Sequence, residues 1–168
     1  QLLLERGATD VRIDARKGRS AYSLFRNPKE SPSGDQIVAD EIIARRPDYV
    51  LVILGTNDLG YNAKATSDAM LKLIGAAQSV GARVIHVGPP MFPTWRQMNP
   101  NEDPPDARPL NDVAQQLVAD VWSKLPDEFV DARAMTADLV TTAAGRAGDG
   151  IHFTKPAGGI WADRLARA

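Results

Sequence analysis

The sequence contains no cysteine, which excludes disulfides, thiolate metal sites and a cysteine nucleophile. Charges nearly cancel: 20 Lys+Arg stand against 21 Asp+Glu, a formal net charge of −1. A nucleic-acid binder ordinarily carries a basic excess, so nucleic acid is not an expected partner. Long apolar runs are missing too. The run from Tyr49 to Leu54 falls far short of the roughly 20 residues that a membrane helix needs. No basic segment precedes a leader-like apolar stretch, so no signal peptide is visible. No Gly-rich phosphate loop of the P-loop or dinucleotide type occurs, which weighs against a nucleotide-binding module. Histidine occurs only twice, as His86 and His152. What is present suits a folded domain: 168 residues, 43% hydrophobic and 24% charged, too apolar for disorder. No repeat or composition shift divides the chain, so a single domain over residues 1–168 is expected.

Short apolar runs alternate with helical patterns. Gln1 to Arg6 reads as the end of a helix stopped by Gly7. Val11 to Ala15 reads as a strand, Lys17 to Ser23 as a loop, and residues 27–35 as a surface connection of turn-formers. Gln36 to Arg46 reads as a helix with Asp35 as N-cap and a stop before Pro47. Tyr49 to Leu54, rich in Val and Ile, suits a strand buried on both faces. Ala69, Met70, Leu73, Ile74, Ala77 and Val80 follow at helical spacing and end at Gly81. Arg83 to Val87 is a second strong strand. The proline-rich stretch to Pro105 has no period and reads as an extended loop. Leu110, Val113, Ala114, Leu117, Val118, Val121, Trp122 and Leu125 form the cleanest amphipathic pattern in the chain. Phe129 to Asp131 is a short strand. Ala157, Ile160, Trp161 and Leu165 mark a last helix, with Thr154 as N-cap and Pro156 in its first turn. Such alternation predicts a parallel sheet with helices on both faces, a three-layer α/β/α fold. Ligands of such sheets sit beyond the carboxyl ends of the strands. Chemistry is therefore sought in the loops after Ala15, Leu54, Val87 and Asp131.

The loop after Leu54 reads Gly55-Thr56-Asn57-Asp58. An asparagine there can aim its side-chain NH2 into a cleft as a donor. A tight turn in which Asn and Asp bond their own backbone fits the same residues. The loop before the last helix reads Asp149-Gly150-Ile151-His152-Phe153-Thr154. A histidine three residues from an aspartate suits a general base whose other ring nitrogen is oriented by a carboxylate. A surface histidine near a helix start fits as well. His86 lies inside a strand between apolar neighbours and reads as a core residue. Gly18, after the run Val11 to Ala15, lets backbone approach a ligand with its N–H available; a plain turn glycine is equally compatible.

Together these loops resemble the SGNH (GDSL-type) hydrolases. Gly55-Thr56-Asn57-Asp58 is similar to the family's G-x-N-D block, Asp149-Gly150-Ile151-His152 to its D-x-x-H block, and Gly18 falls at its second-block glycine. The resemblance spans essentially the whole chain in order and spacing and implies a flavodoxin-like fold. It implies that His152 is the general base and Asp149 its orienting carboxylate, with Asn57 and the Gly18 N–H as oxyanion donors. The implied reaction is hydrolysis of an ester or thioester through an acyl-serine, on a small-molecule or carbohydrate substrate. No metal or organic cofactor is implied. Trp95 and Arg96, in the proline-rich stretch, are candidates for a substrate wall; aromatics there that close the domain's own core fit the sequence equally well.

The sequence departs from the family at one point. The family nucleophile belongs to a G-D-S block at the end of the first strand, and no Gly-Asp-Ser occurs in these residues. Ser20 and Ser23 lie near Gly18, but neither follows a buried strand. The expectation is an N-terminally truncated chain, inactive as it stands, with the nucleophile-bearing strand upstream of residue 1. Val11–Ala15 and Tyr49–Leu54 would then flank a slot roughly 10 Å wide. The alternative is a non-catalytic protein of the same fold that binds a carbohydrate or a protein partner.

Overall fold

The computed structural model describes residues 2–5, 7–27, 29, 31–60, 62–92, 110–140, 145 and 152–167. They cluster into two compact units, one of Gly18–Pro89 with Asp112–Asp131, the other of Gln1–Lys17, Pro90–Asn111 and Ala132–Ala168.

The first unit is built on a parallel sheet of three strands in the order β1-β2-β3. These are β1 (Tyr49–Ile53), β2 (Arg83–Val87) and β3 (Glu128–Val130). Tyr49 pairs with Arg83 and Ile53 with Val87, and Ile85 pairs with Glu128. The α/β class and parallel order agree with the expected flavodoxin-like fold. On one face Val52 and Val84 join Met70, Leu73, Ile74, Leu117, Val118, Val121 and Trp122 in the core. Each large apolar side chain buried there contributes about 1.5–3 kcal/mol. The opposite face of β1 departs from expectation. Tyr49, Leu51 and Ile53 are 59%, 40% and 47% exposed, so this strand is not buried on both sides. Among the described residues its outer edge has no ladder partner.

The helices of this unit begin where hydroxyl and amide side chains satisfy free N–H groups. Helix α2 (Ala21–Arg26) replaces the second half of the expected loop. Ser20 Oγ accepts from the Ser23 N–H at 2.9 Å, and Ser23 Oγ accepts from the Ser20 N–H at 3.0 Å. Helix α3 (Gly34–Ile37) starts at Ser33 and not at Asp35, because Gln36 closes a capping box with that serine. It runs on as a π-helix, Val38–Ile43. Helix α4 (Ala63–Ser79) is capped by Asn62. Helix α5 (Leu110–Asp120) is shorter than its apolar pattern. Beyond Val121 the chain tightens into a 3₁₀ turn, Trp122–Lys124, with Trp122 fully buried.

In the second unit are α1 (Leu2–Glu5), α6 (Ala132–Val140) and α7 (Lys155–Leu165). Thr154 caps α7 as expected. The expected strand Val11–Ala15 is not formed. Residues 11–16 carry no regular structure, and Ile13 is 82% exposed. Alternating apolar residues make a strand only against a neighbour that takes up their backbone groups. Helix α6 was not expected, although Ala132, Thr136 and Leu139 stand buried at helical spacing. It is tied to α7 by Arg164, which donates to both Asp138 carboxylate oxygens at 2.6 and 2.8 Å. Among the described residues no helix is long and apolar enough to cross a membrane.

Candidate active site

The loop after β1 begins at Gly55, whose φ is +126°. A side chain there would be strained by the backbone and would also strike Trp122, so only glycine fits. The chain then makes a 3₁₀ turn, Thr56–Asp58, closed by the Asp58 N–H donating to the Gly55 carbonyl at 2.9 Å. This turn sends Asn57 and Asp58 to different tasks.

Asp58 is fully buried. Its two carboxylate oxygens accept the N–H groups of Ala21 and Tyr22, each at 3.0 Å. Those donors open α2 and have no partner within the helix, and a carboxylate at this end also meets the positive pole of the helix. Burial raises the Asp58 pKa above the ordinary carboxylate value, and the two N–H bonds oppose that shift.

Asn57 is exposed, and its Nδ2 donates to the Arg19 carbonyl at 3.1 Å. An amide NH2 has a second hydrogen, which this bond does not use. Gly18, next to Arg19, is exposed at φ +77°, with open space where a Cβ would stand. Backbone conformation alone requires glycine there. The segment from Gly18 to Tyr22 is thus stitched to the Asn57-Asp58 turn by three hydrogen bonds. Gly18 and Asn57, far apart in sequence, come to one neighbourhood. Between α2 and the start of α4, Tyr22, Arg26, Asn62, Lys64, Ala65 and Asp68 line an open hollow.

The two nearby serines belong to a helix cap. Ser20 is buried, and both hydroxyls are committed to the cap of α2. His86 is the core residue that its strand position predicts. It is fully buried between Trp122 and Phe129, with ring centroids 4.9 and 5.5 Å away. Burial lowers its pKa to about 4.

The remaining expected residues belong to the second unit. His152 is exposed and lies just ahead of the α7 cap. Its neighbours anchor the segment: Phe153 packs on Trp161 with centroids 5.3 Å apart, and the Thr154 N–H donates to the Gly145 carbonyl at 3.1 Å. Asp149, Trp95 and Arg96 lie outside the described residues. Sequence reasoning missed the roles of Asp58 and Trp122. Asp58 carries no local mark of its distant partners, and Trp122 reads simply as one more apolar residue of the pattern that runs from Leu110 to Leu125.

The GDSL-like lipase/acylhydrolase family model matches residues 2–157. No curated protein is a significant match to the chain. Among solved structures, a lipase/acylhydrolase from Enterococcus faecalis is similar at 18% identity and a TM-score of 0.56, covering 89% of this chain and 70% of that one. A catalytic mutant of an acetylxylan esterase from Geobacillus stearothermophilus is similar at 19% identity and a TM-score of 0.57, with 89% and 67% covered. On the family match, which takes in nearly all of its length, this chain belongs to the GDSL-like lipase/acylhydrolases.

Proposed function

We propose that the protein is a serine acyl hydrolase that cleaves an ester or thioester through an acyl-serine, the whole chain forming one SGNH-type domain. The observation that carries this reading is the joining of the Gly18 segment to the Asn57-Asp58 turn. It leaves the Gly18 N–H and the second Asn57 hydrogen as donors for an oxyanion. Donors of this kind are worth about 10²–10³ in rate each, because they are fixed before charge develops.

In this reading a serine hydroxyl attacks the substrate carbonyl and passes its proton to His152, which Asp149 orients. The carbonyl π electrons become the oxyanion that Gly18 and Asn57 stabilise. The intermediate collapses, and the alcohol or thiol leaves with the proton from His152. Water then attacks the acyl-serine, again giving a proton to His152, and the carboxylic acid departs as the serine is re-protonated. Trp95 and Arg96 form a wall of the substrate cleft. The hollow beside α2 and α4, which offers polar and apolar surface alike, leaves room for the alcohol portion of the substrate.

The serine of this mechanism is carried on a strand alongside β1, on a segment preceding residue 1. Support comes from the outer edge of β1, which has no ladder partner among the described residues, and from the commitment of Ser20 and Ser23 to a helix cap. A non-catalytic carbohydrate- or partner-binding protein of the same fold is the second reading, favoured by the lack of Gly-Asp-Ser in the 168 residues. Hydrolysis of 4-nitrophenyl acetate separates the two. The 168-residue chain is expected at background, and the chain extended by its natural upstream segment is expected to turn over. Turnover by the chain alone, abolished by Ser20→Ala or Ser23→Ala, overturns the placement of the nucleophile. No turnover by the extended protein favours the binding reading.

A further inference from the structure

The turn that carries Asn57 leans on a side chain that the mechanism does not use. A Cβ at Gly55 would lie 2.1 Å from Cη2 of Trp122, 2.8 Å from Cζ3 and 3.0 Å from Cζ2. The benzene edge of the indole therefore lies directly against the Gly55 backbone. Glycine has more conformational freedom than any other residue, so something outside Gly55 has to restrain it at φ +126°. The Asp58 N–H bond to the Gly55 carbonyl holds one side of the turn, and a broad, rigid ring packed on Gly55 adds a steric restraint on the other.

The pose of Trp122 is itself fixed. The ring is fully buried and meets His86 edge to face at 4.9 Å. Phe129 stands 6.4 Å away. Behind His86, the Asp127 Oδ2 lies 3.8 Å from the imidazole Nδ1. Trp122 Nε1, both His86 nitrogens and both Asp127 carboxylate oxygens are buried without a hydrogen-bond partner. Shape and ring contacts, not hydrogen bonds, hold this cluster.

We infer that Trp122 is a positioning residue of the oxyanion site: its indole is the backstop that holds Gly55 and so aims Asn57, with His86 setting the tilt of the ring. The catalytic consequence rests on the reading of Asn57 as an oxyanion donor, whereas the placement of Asn57 does not depend on it.

The test uses the side-chain amide signals of the ¹⁵N-labelled 168-residue chain, the Asn57 pair being assigned by its loss in Asn57→Ala. Trp122→Leu removes the backstop and is expected to shift the Asn57 pair. Trp122→Phe keeps a smaller ring in the core and is expected to shift it by an intermediate amount. The Gln36 pair, whose oxygen caps α3, is expected to stay in place in both variants. An unmoved Asn57 pair in Trp122→Phe overturns the inference, as does movement of Gln36 together with Asn57, which marks general loosening. In the extended, hydrolytically active protein, Trp122→Phe is expected to lower kcat about tenfold at little change in KM, within the 10²–10³ that one donor supplies. If Asn57→Ala leaves kcat unchanged while the amide shifts appear, the catalytic reading of Asn57 fails and its placement by Trp122 stands.

Discussion

Replacing Asp58 by alanine removes the side chain that ties the turn after β1 to the first two residues of α2. Two N–H groups, of Ala21 and Tyr22, lose carboxylate acceptors at 3.0 Å. A hydrogen bond to a charged group contributes about 1.5–3 kcal/mol. Against this stands the cost of burying the ion, visible in the raised pKa. The net expected loss is about 3 kcal/mol. In a domain of this size each kcal/mol lowers Tm by about 2–4 °C, so thermal unfolding followed by circular dichroism should show a drop of about 6–12 °C. Asp58→Asn keeps one acceptor and should lose about half as much. The pH dependence supplies a second check. Because burial raises the folded-state pKa, the folded chain binds this proton more readily than the unfolded chain does. The carboxyl thus favours folding increasingly as pH falls through the range above 3.8. The stability gap between the native chain and Asp58→Asn should widen on acidification. A Tm loss below about 2 °C in Asp58→Ala, less than about 1 kcal/mol, would refute the clamp. A gap that narrows in acid would refute the assigned pKa direction.

The other expectations follow from the same contacts. Gly55→Ala meets both an unfavourable φ and the Trp122 ring and should cost about 2–4 kcal/mol. Gly18→Ala, at φ +77° with open space around it, should cost only about 1 kcal/mol, and the reverse order in urea unfolding would refute this account of the two glycines. Burial lowers the His86 pKa from 6.5 to about 4, so the unfolded chain takes up this proton first as pH falls. The stabilising contribution is fully present above 6.5 and is lost progressively down to about 4, in total about 3 kcal/mol at 1.36 kcal/mol per unit. Burial raises Asp127, which acts in the opposite sense, so Asp127→Asn should steepen the acid loss and His86→Phe should flatten it. Urea midpoints at pH 7 and pH 4.5 read both slopes, and an unchanged slope in His86→Phe contradicts the assignment.

What the sequence disclosed depended on how local the cause was. β2 ends where the apolar run ends, and Thr154 caps α7 because the cap and its first turn are adjacent in the chain. Helix α2 escaped because its capping box closes with a serine, Ser23, where Glu or Gln is the usual signal. Val11 to Ala15 has the alternation of a strand, but among the described residues no strand pairs with it. The block residues Gly18, Asn57 and His152 were legible as motifs. Their partnerships were not: Asn57 to Arg19 spans 38 residues and Asp58 to Ala21 spans 37, and no local pattern names a partner at that distance. Trp122 is the clearest case, since the periodicity that marks it as core says nothing of Gly55 against its edge.

Everything proposed for catalysis turns on Asn57 as an oxyanion donor in an acyl hydrolase. The most direct measurement is kcat for 4-nitrophenyl acetate in the chain extended by its natural upstream segment, compared with Asn57→Ala in the same protein. The expected result is a fall of about 10²–10³ in kcat, little change in KM, and a Tm loss of no more than a few degrees, because Asn57 is exposed and gives up a single hydrogen bond. Equal kcat in the two proteins, both folded, would contradict it.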